Sequence, residues 1–210
     1  MTEGAPGPLP GPLPGSSPGL VGIVLAAGAG VRAGGPKGLR RLPDGTPWVV
    51  HAVSVLQNAG CSTVLVVVGA AAADVAALVP PSATVVVADG ALHGLSESLR
   101  TALGAAARVP AAEAALLTLV DLPGMPAAVA ARVVAAGPVD AGTLRRAVVD
   151  GRPTHPVLIG REHWDAVAES ASGDRGAGRY LRQHGAAEVE CGQLWDGADI
   201  DLPGHPSERE

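Results

Sequence analysis

One segment of the sequence has residue types that suit the binding of an anion. Residues 25–37 (LAAGAGVRAGGPK) follow a short apolar run and combine four glycines with Arg32 and Lys37. Lys37 is the only lysine among the 15 basic residues of the chain. Glycine lets backbone N–H groups approach an anion closely, and the two cations would supply countercharge. We therefore predict a phosphate-binding loop with Lys37 as its functional ammonium; a solvated surface lysine is the alternative.

Two common phosphate-binding patterns fit this segment poorly. A Walker loop has Ser or Thr directly after its lysine, whereas Gly38 follows Lys37. Residues 28–33 (GAGVRA) satisfy the loose dinucleotide pattern, but Pro36 and two glycines stand where its helix should begin. The second apolar run also ends in Gly69 without the acidic residue that would hold a ribose. A nicotinamide-dependent dehydrogenase therefore remains only a minor alternative.

A carboxylate is expected at the same edge of the fold as the glycine-rich loop. Asp121 directly follows the apolar run 114–120 and precedes Leu122 and Pro123. Ligands of open α/β sheets bind outside the carboxyl ends of the strands, and Mg²⁺ there is usually held by one or two carboxylates with substrate phosphates. We predict Asp121 as a metal ligand; an aspartate that accepts loop N–H bonds before a proline turn is the alternative.

The apolar pattern predicts an α/β fold. Runs rich in Val, Ile and Leu alternate with segments of helical spacing, which is typical of βαβ units and a parallel sheet. Strands are predicted at residues 20–26, 63–69, 83–88, 114–120 and 188–191, and helices at 48–59, 73–79, 96–108, 126–136, 162–171 and 176–184. Residues 143–150 and 154–159 flank a Gly-Arg-Pro turn and predict an antiparallel hairpin. The expected architecture is a Rossmann-like three-layer α/β/α sandwich, mostly parallel, with that hairpin in its C-terminal part.

The length of 210 residues suits one domain, which we place at residues 20–203. Residues 1–19 contain six prolines and five glycines and predict a disordered tail, because they offer little apolar surface to offset the entropy of ordering. Residues 204–210 are expected to form a flexible C-terminus.

Composition excludes several classes of function. The net charge of −5 and an aromatic content of 2% disfavour nucleic-acid binding, which depends on clustered Lys and Arg and on stacking platforms. The chain has no apolar stretch long enough to span a membrane and no signal-peptide pattern at its start. Its two cysteines, Cys61 and Cys191, lack metal-site spacing. We expect a cytoplasmic protein without membrane or nucleic-acid partners, and a monomer.

Seven short motifs together resemble the MobA-like NTP transferase family. The glycine-rich segment matches every fixed position of that family's fingerprint except its methionine, where Ala33 stands. Ala27 and the Pro36-Lys37 ending are similar to the molybdenum cofactor cytidylyltransferases of the MocA type. The likeness continues through residues 44–47 (DGTP), 94–100 (GLSESLR), 119–124 (LVDLPG), 155–158 (HPVL), 173–177 (GDRGA) and 199–201 (DID).

The resemblance implies a role for individual residues. It suggests Lys37, Arg32 and Asp121 as catalytic residues, and Asp121 with Asp201 as ligands of Mg²⁺. Asp201 could instead belong to a frayed acidic terminus, Ser98 could be a helix N-cap, Asp89 a turn residue, and His155 a structural histidine. The nucleotide and second-substrate contacts that it suggests are Leu25, Ala26, Ala27, Gly28, Gly30, Gly34, Asp89, Ser98 and His155.

The expected function is transfer of NMP, with CMP from CTP favoured, onto the terminal phosphate of the molybdenum cofactor, with release of pyrophosphate. Guanylyl transfer to that cofactor, to phospholactate or to a sugar phosphate remains an alternative. A non-catalytic nucleotide-binding maturation partner of a molybdoenzyme is the alternative from another class.

Overall fold

Seven strands form one sheet in a computed structural model that describes residues 17–28, 35–69, 72–88 and 94–197. The strands lie in the order β3-β2-β1-β4-β6-β5-β7. Their bounds are β1 Ser17–Ala26, β2 Cys61–Val68, β3 Thr84–Val87, β4 Ala114–Leu119, β5 Leu144–Val149, β6 Arg152–Gly160 and β7 Ala187–Glu190.

The first four strands are parallel, and β6 alone runs against its neighbours. In the centre, Ile23 of β1 lies between Leu65 of β2 and Leu117 of β4. β6 pairs antiparallel with both β4 and β5, while β5 pairs parallel with β7. The expected mostly parallel sheet with a C-terminal hairpin is therefore confirmed. The first strand begins at Ser17, so three residues assigned to the predicted tail belong to the sheet, where Ser17 pairs with Cys61.

In the part of the chain that the structure describes, six α-helices cover the two faces of the sheet. They are α1 Trp48–Asn58, α2 Ala72–Ala76, α3 Leu95–Ala106, α4 Ala127–Ala135, α5 Trp164–Ser170 and α6 Gly178–Gln183. Side chains of α1, α2 and α4 pack in one core, and those of α3, α5 and α6 in the other. This arrangement is the predicted three-layer sandwich. None of the described helices is long and apolar enough to cross a membrane.

The sheet has two hydrophobic cores because successive side chains along a buried strand point to opposite faces of the sheet. Leu116 of β4 lies in the core with α1 and α4, and its neighbour Leu117 lies in the core with α3 and α5. All eight residues of β2 are buried, because a parallel strand in the middle of a sandwich has helices on both sides. The alternation gives each face of the sheet its own layer of helices and leaves the carboxyl ends of β1 and β4 at one edge.

Candidate nucleotide-binding site

The carboxyl ends of β1 and β4 are tied together at the edge of the sheet. The Val120 N–H, just after β4, donates to the Leu25 carbonyl of β1 at 3.1 Å. Asp121 follows directly, and so its backbone lies beside the carboxyl end of β1. Leu25, Ala26 and Ala27 are buried there, while Gly28 is exposed.

Lys37 begins a short 3-10 turn, Lys37–Leu39, that returns the chain to this edge. The turn closes through the Leu39 and Arg40 N–H groups, which donate to the Pro36 and Lys37 carbonyls. Gly38 packs so closely on α2 that a Cβ at this position would lie 3.0 Å from Val75 Cγ1. The close approach fixes the backbone that carries Lys37, on the sheet face covered by α1, α2 and α4.

Lys37 and Asp121 are in direct contact. The Lys37 Nζ donates to Asp121 Oδ2 at 3.0 Å, although the two residues are 84 positions apart in the chain. Both side chains are a little over a quarter exposed, at 29% and 28%. The chain's only ammonium and the predicted metal ligand thus form an ion pair that a ligand can reach from solvent.

The second oxygen of Asp121 suits a hard cation. Asp121 Oδ1 is buried and has no hydrogen-bond partner in the described part of the chain. A buried, unpaired carboxylate oxygen is costly unless a partner binds it, and Mg²⁺ and similar ions prefer such oxygens. The residues present therefore fit a divalent metal. Among the described residues there is no cluster of three or more His, Cys, Asp or Glu that could hold a metal ion.

His155 lies on β6, near enough to Asp121 for that carboxylate to act on its pKa. Its Nδ1 is 3.2 Å from the Leu117 carbonyl, which makes Nδ1 the donor and leaves Nε2 with a free lone pair. Burial lowers the pKa of His155 below its usual value, against the opposing effects of the Leu117 carbonyl and the Asp121 charge. The imidazole is therefore neutral at pH 7 and can accept a hydrogen bond through Nε2.

The start of α3 is held by a neighbouring turn rather than by a serine side chain. The helix N-cap is Gly94, and the Ser96 N–H donates to the Gly173 carbonyl at 2.9 Å. Ser98 is buried within the first turns of the helix and does not cap it. The N-cap interpretation of Ser98 was therefore wrong, and the close approach of the turn explains why position 94 is glycine: a Cβ would lie 2.6 Å from the Gly173 oxygen.

Several predicted site residues lie outside the described residues. They are Gly30, Arg32 and Gly34 in the glycine-rich loop, Asp89 after β3, and Asp201 near the C-terminus. Their roles remain predictions.

Sequence reasoning missed Arg146, which stands in the middle of β5. Its side chain is only 11% exposed and makes an ion pair with Glu188 of the adjacent strand β7. The signal was present in the sequence, because Arg145 and Arg146 interrupt an otherwise apolar strand. A charge at a position predicted to be buried needs either a partner or a function.

A mostly parallel α/β sheet with an ammonium and a carboxylate meeting at its carboxyl edge suits a nucleotidyltransferase. The family comparison gives the same class: residues 22–189 match the MobA-like NTP transferase domain. The chain belongs to that family.

Individual relatives carry different names. The chain is 33% identical over 193 residues to nicotine blue oxidoreductase of Paenarthrobacter nicotinovorans, covering 87% of this chain and 92% of that protein. Among solved structures it is similar to the Mycobacterium sp. strain JC1 homologue of Mycobacterium tuberculosis Rv0371c, with 27% identity, a TM-score of 0.70, and coverage of 87% and 89%. Rv0371c of Mycobacterium tuberculosis H37Rv in complex with manganese is 26% identical with a TM-score of 0.69, covering 89% and 95%.

Proposed function

We propose that this protein transfers NMP, CMP from CTP in the first place, onto the terminal phosphate of the molybdenum cofactor and releases pyrophosphate. The observation that carries the proposal is the contact of Lys37 with Asp121 at the carboxyl edge of the sheet, in a chain of the NTP transferase family. Guanylyl transfer, and phospholactate or a sugar phosphate as acceptor, are the alternatives within the same chemistry.

The reaction needs little proton chemistry. A phosphate monoester has its second pKa near about 6, so the acceptor oxygen is already largely ionised at neutral pH. That oxygen attacks the α-phosphorus, the bond from the α-phosphorus to the bridging oxygen of the β-phosphate breaks, and pyrophosphate leaves with the electron pair. The protein must align the acceptor and the triphosphate and offset the charge that collects on the leaving group.

Lys37 would supply the mobile countercharge. Its ammonium is paired with Asp121 in the structure, and a triphosphate at this edge offers it a larger negative charge. Nucleotide entry would draw Lys37 toward the phosphates and free the Asp121 carboxylate. Arg32 would assist, and the loop glycines, Ser98 and Asp89 would contact the nucleotide.

Asp121, with Asp201 as second ligand, would hold a divalent metal. The unpaired Oδ1 of Asp121 supports this role, as does the manganese complex of the similar Rv0371c. A divalent ion held there would supply positive charge to offset the charge of the leaving pyrophosphate. We propose Mg²⁺ as the ion used.

The test is pyrophosphate release from each of the four NTPs, with and without molybdenum cofactor and with Mg²⁺ or Mn²⁺. We expect release with CTP, cofactor and metal together. Lys37→Ala and Asp121→Asn should each lower turnover by about 100- to 1,000-fold with the thermal melt unchanged. Arg108→Ala is the matched control, because Arg108 is exposed beyond the C-terminal end of α3, at the opposite edge of the sheet.

Other outcomes identify other functions. GTP dependence would favour guanylyl transfer, and nucleotide binding without pyrophosphate release would favour a non-catalytic maturation partner of a molybdoenzyme. Near-normal turnover of Lys37→Ala would refute the role of the ammonium.

One observation favours a second candidate, an oxidoreductase. The relative that is 33% identical over most of the chain is named nicotine blue oxidoreductase. Against this candidate, β2 ends at Val68 and Gly69 without an acidic residue for a ribose. Consumption of NADH or NADPH in the presence of nicotine blue, without pyrophosphate release, would establish the oxidoreductase instead.

A further inference from the structure

A tight turn follows Asp121 and leads into α4. The Met125 N–H donates to the Leu122 carbonyl at 3.1 Å and closes this turn over residues 122–125. Both of these side chains are buried in the core that α1 shares with α4. On the other side of Asp121, the Val120 N–H is bonded to β1. The backbone that carries the Asp121 carboxylate is therefore held both before and after this residue.

A histidine of α1 is bonded to the end of the turn. His51 is half-buried, and its Nε2 lies 3.2 Å from the Met125 carbonyl oxygen. A carbonyl oxygen only accepts hydrogen bonds, so Nε2 carries a proton and donates it. Met125 stands directly before Pro126, the N-cap of α4. The hydrogen bond from His51 therefore holds the junction between the Asp121 turn and α4.

The first turn of α1 is also bonded to the segment that carries Lys37. The Trp48 N–H donates to the Arg40 carbonyl at 2.8 Å. The Arg40 N–H in turn donates to the Lys37 carbonyl at 3.1 Å. Trp48 and His51 are three positions apart, which is less than one helical turn. One turn of α1 is thus bonded both to the segment of Lys37 and to the turn after Asp121.

This shared support bears on the geometry of the ion pair. Lys37 Nζ and Asp121 Oδ2 are 3.0 Å apart, although the two residues are 84 positions apart in the chain. A functional group acts well only when the residues around it hold it within a fraction of an ångström of its working position. The bonds to α1 supply such support from a single rigid element.

We propose that His51 is a positioning residue, which sets the Asp121 carboxylate opposite Lys37 by holding the turn that follows Asp121. The inference rests on the proposed function, because it takes Asp121 as a ligand of the divalent metal. His51 acts through the Met125 carbonyl and needs no contact with metal or nucleotide. Loss of its hydrogen bond would free the junction with α4, and the carboxylate would no longer be held in one place.

Titration of the full chain with MnCl₂, followed by the EPR signal of free Mn²⁺, tests the inference without turnover. His51→Leu removes the donor, and we expect it to weaken Mn²⁺ binding by about 10-fold, because the loss of hydrogen bonds around a metal site typically has such an effect. The affinity for CTP in the presence of EDTA should stay unchanged, since Asp121 is not needed to hold the metal-free nucleotide.

Two amide variants decide the matter even if His51→Leu fails to fold. The side-chain N–H of Gln extends as far as Nε2 of histidine, whereas that of Asn extends only as far as Nδ1. His51→Gln should therefore retain wild-type Mn²⁺ affinity, and His51→Asn should lose about as much as His51→Leu. Equal Mn²⁺ affinities of the two amide variants would overturn the inference.

His163→Leu is the matched control. His163 Nε2 lies 3.1 Å from the Gly142 carbonyl, so the contact is of the same kind. Gly142 precedes β5, which runs parallel to β4 because both pair antiparallel with β6, and it lies at the amino edge of the sheet. This variant should lower the thermal melt and leave Mn²⁺ binding unchanged. The same result for His51→Leu would show a merely structural histidine and would overturn the inference.

Asp121→Asn separates this inference from the proposed function. If Asp121→Asn loses Mn²⁺ binding while His51→Leu binds Mn²⁺ like the wild-type protein, the metal role of Asp121 stands and the role of His51 is refuted. If Asp121→Asn binds Mn²⁺ as tightly as the wild-type protein, the metal role in the proposed function is refuted, and the inference is overturned with it.

Discussion

The sheet has a parallel half, β1 to β4, and a hairpin half, β5 to β7, and the two halves differ in the types of residue that their strands contain. In β1, β2 and β4 nearly every side chain is apolar and buried, and the candidate site residues Lys37 and Asp121 stand beyond the strands. In the hairpin half, charged side chains occur within the strands, as Arg145, Arg146 and Glu188 show. The first half is a closely packed apolar frame with the candidate site at its edge, whereas the second half has charged side chains within its strands.

Under the proposed function, the triphosphate would lie at the edge of the parallel half, where Lys37 and Asp121 stand beyond the strands. Stability and pH measurements test this comparison between the two halves.

Leu65→Ala tests the parallel half as a packed frame. Leu65 of β2 is 2% exposed, and its truncation should lower the free energy of unfolding by about 2–5 kcal/mol. Val87→Ala is the control, since Val87 on the edge strand β3 is 54% exposed and should change stability by less than about 0.5 kcal/mol. Denaturant unfolding measures the free energy of unfolding of both variants. Equal losses of stability would contradict the view that the parallel half is a closely packed frame.

Gly160→Ala tests how closely the backbone of the hairpin half packs at the end of β6. A Cβ at the end of β6 would lie 2.2 Å from the Ala141 carbonyl oxygen and 2.7 Å from the Thr143 nitrogen. We expect a loss of about 1–3 kcal/mol, because the backbone must shift to relieve the overlap. Gly104→Ala on α3, where a Cβ meets nothing within 4 Å, is the matched control and should not destabilise the protein. If thermal unfolding showed no loss of stability in Gly160→Ala, the backbone at the end of β6 would be packed loosely.

Thr118→Val tests the strand where the halves meet. Thr118 of β4 is fully buried, and its hydroxyl has no hydrogen-bond partner in the described residues. Replacing an unsatisfied buried hydroxyl by a methyl group of similar shape should raise the free energy of unfolding by about 1 kcal/mol. Thr143→Val is the contrasting variant: the Thr143 hydroxyl donates to Asp140, so its loss should destabilise. Destabilisation by Thr118→Val would mean that the hydroxyl has a role that the contacts do not show.

His155→Gln tests the pH response of the hairpin half. Because burial lowers the pKa of His155 in the folded protein, the unfolded chain takes up the proton more readily as the pH falls below 6.5. The neutral imidazole therefore contributes stability that is complete above that pH and is lost below it. Thermal melts between pH 5 and pH 7.5 should decline less steeply in His155→Gln than in the wild-type protein. Parallel curves for the two proteins would contradict the depressed pKa.

The spacing of apolar residues and the residue types were enough to predict the helices and strands, because a parallel strand buried on both faces must be a continuous apolar run. Lys37 and Asp121 were also predictable, as a unique ammonium in a glycine-rich segment and as an acid at the end of such a run. The register of the hairpin, the side of the sheet that each helix covers and the direct contact of two residues 84 positions apart were decided only by the tertiary structure. The same is true of the ion pair of Arg146 with Glu188, since a local pattern says that a strand is buried but not what stands across from each of its faces.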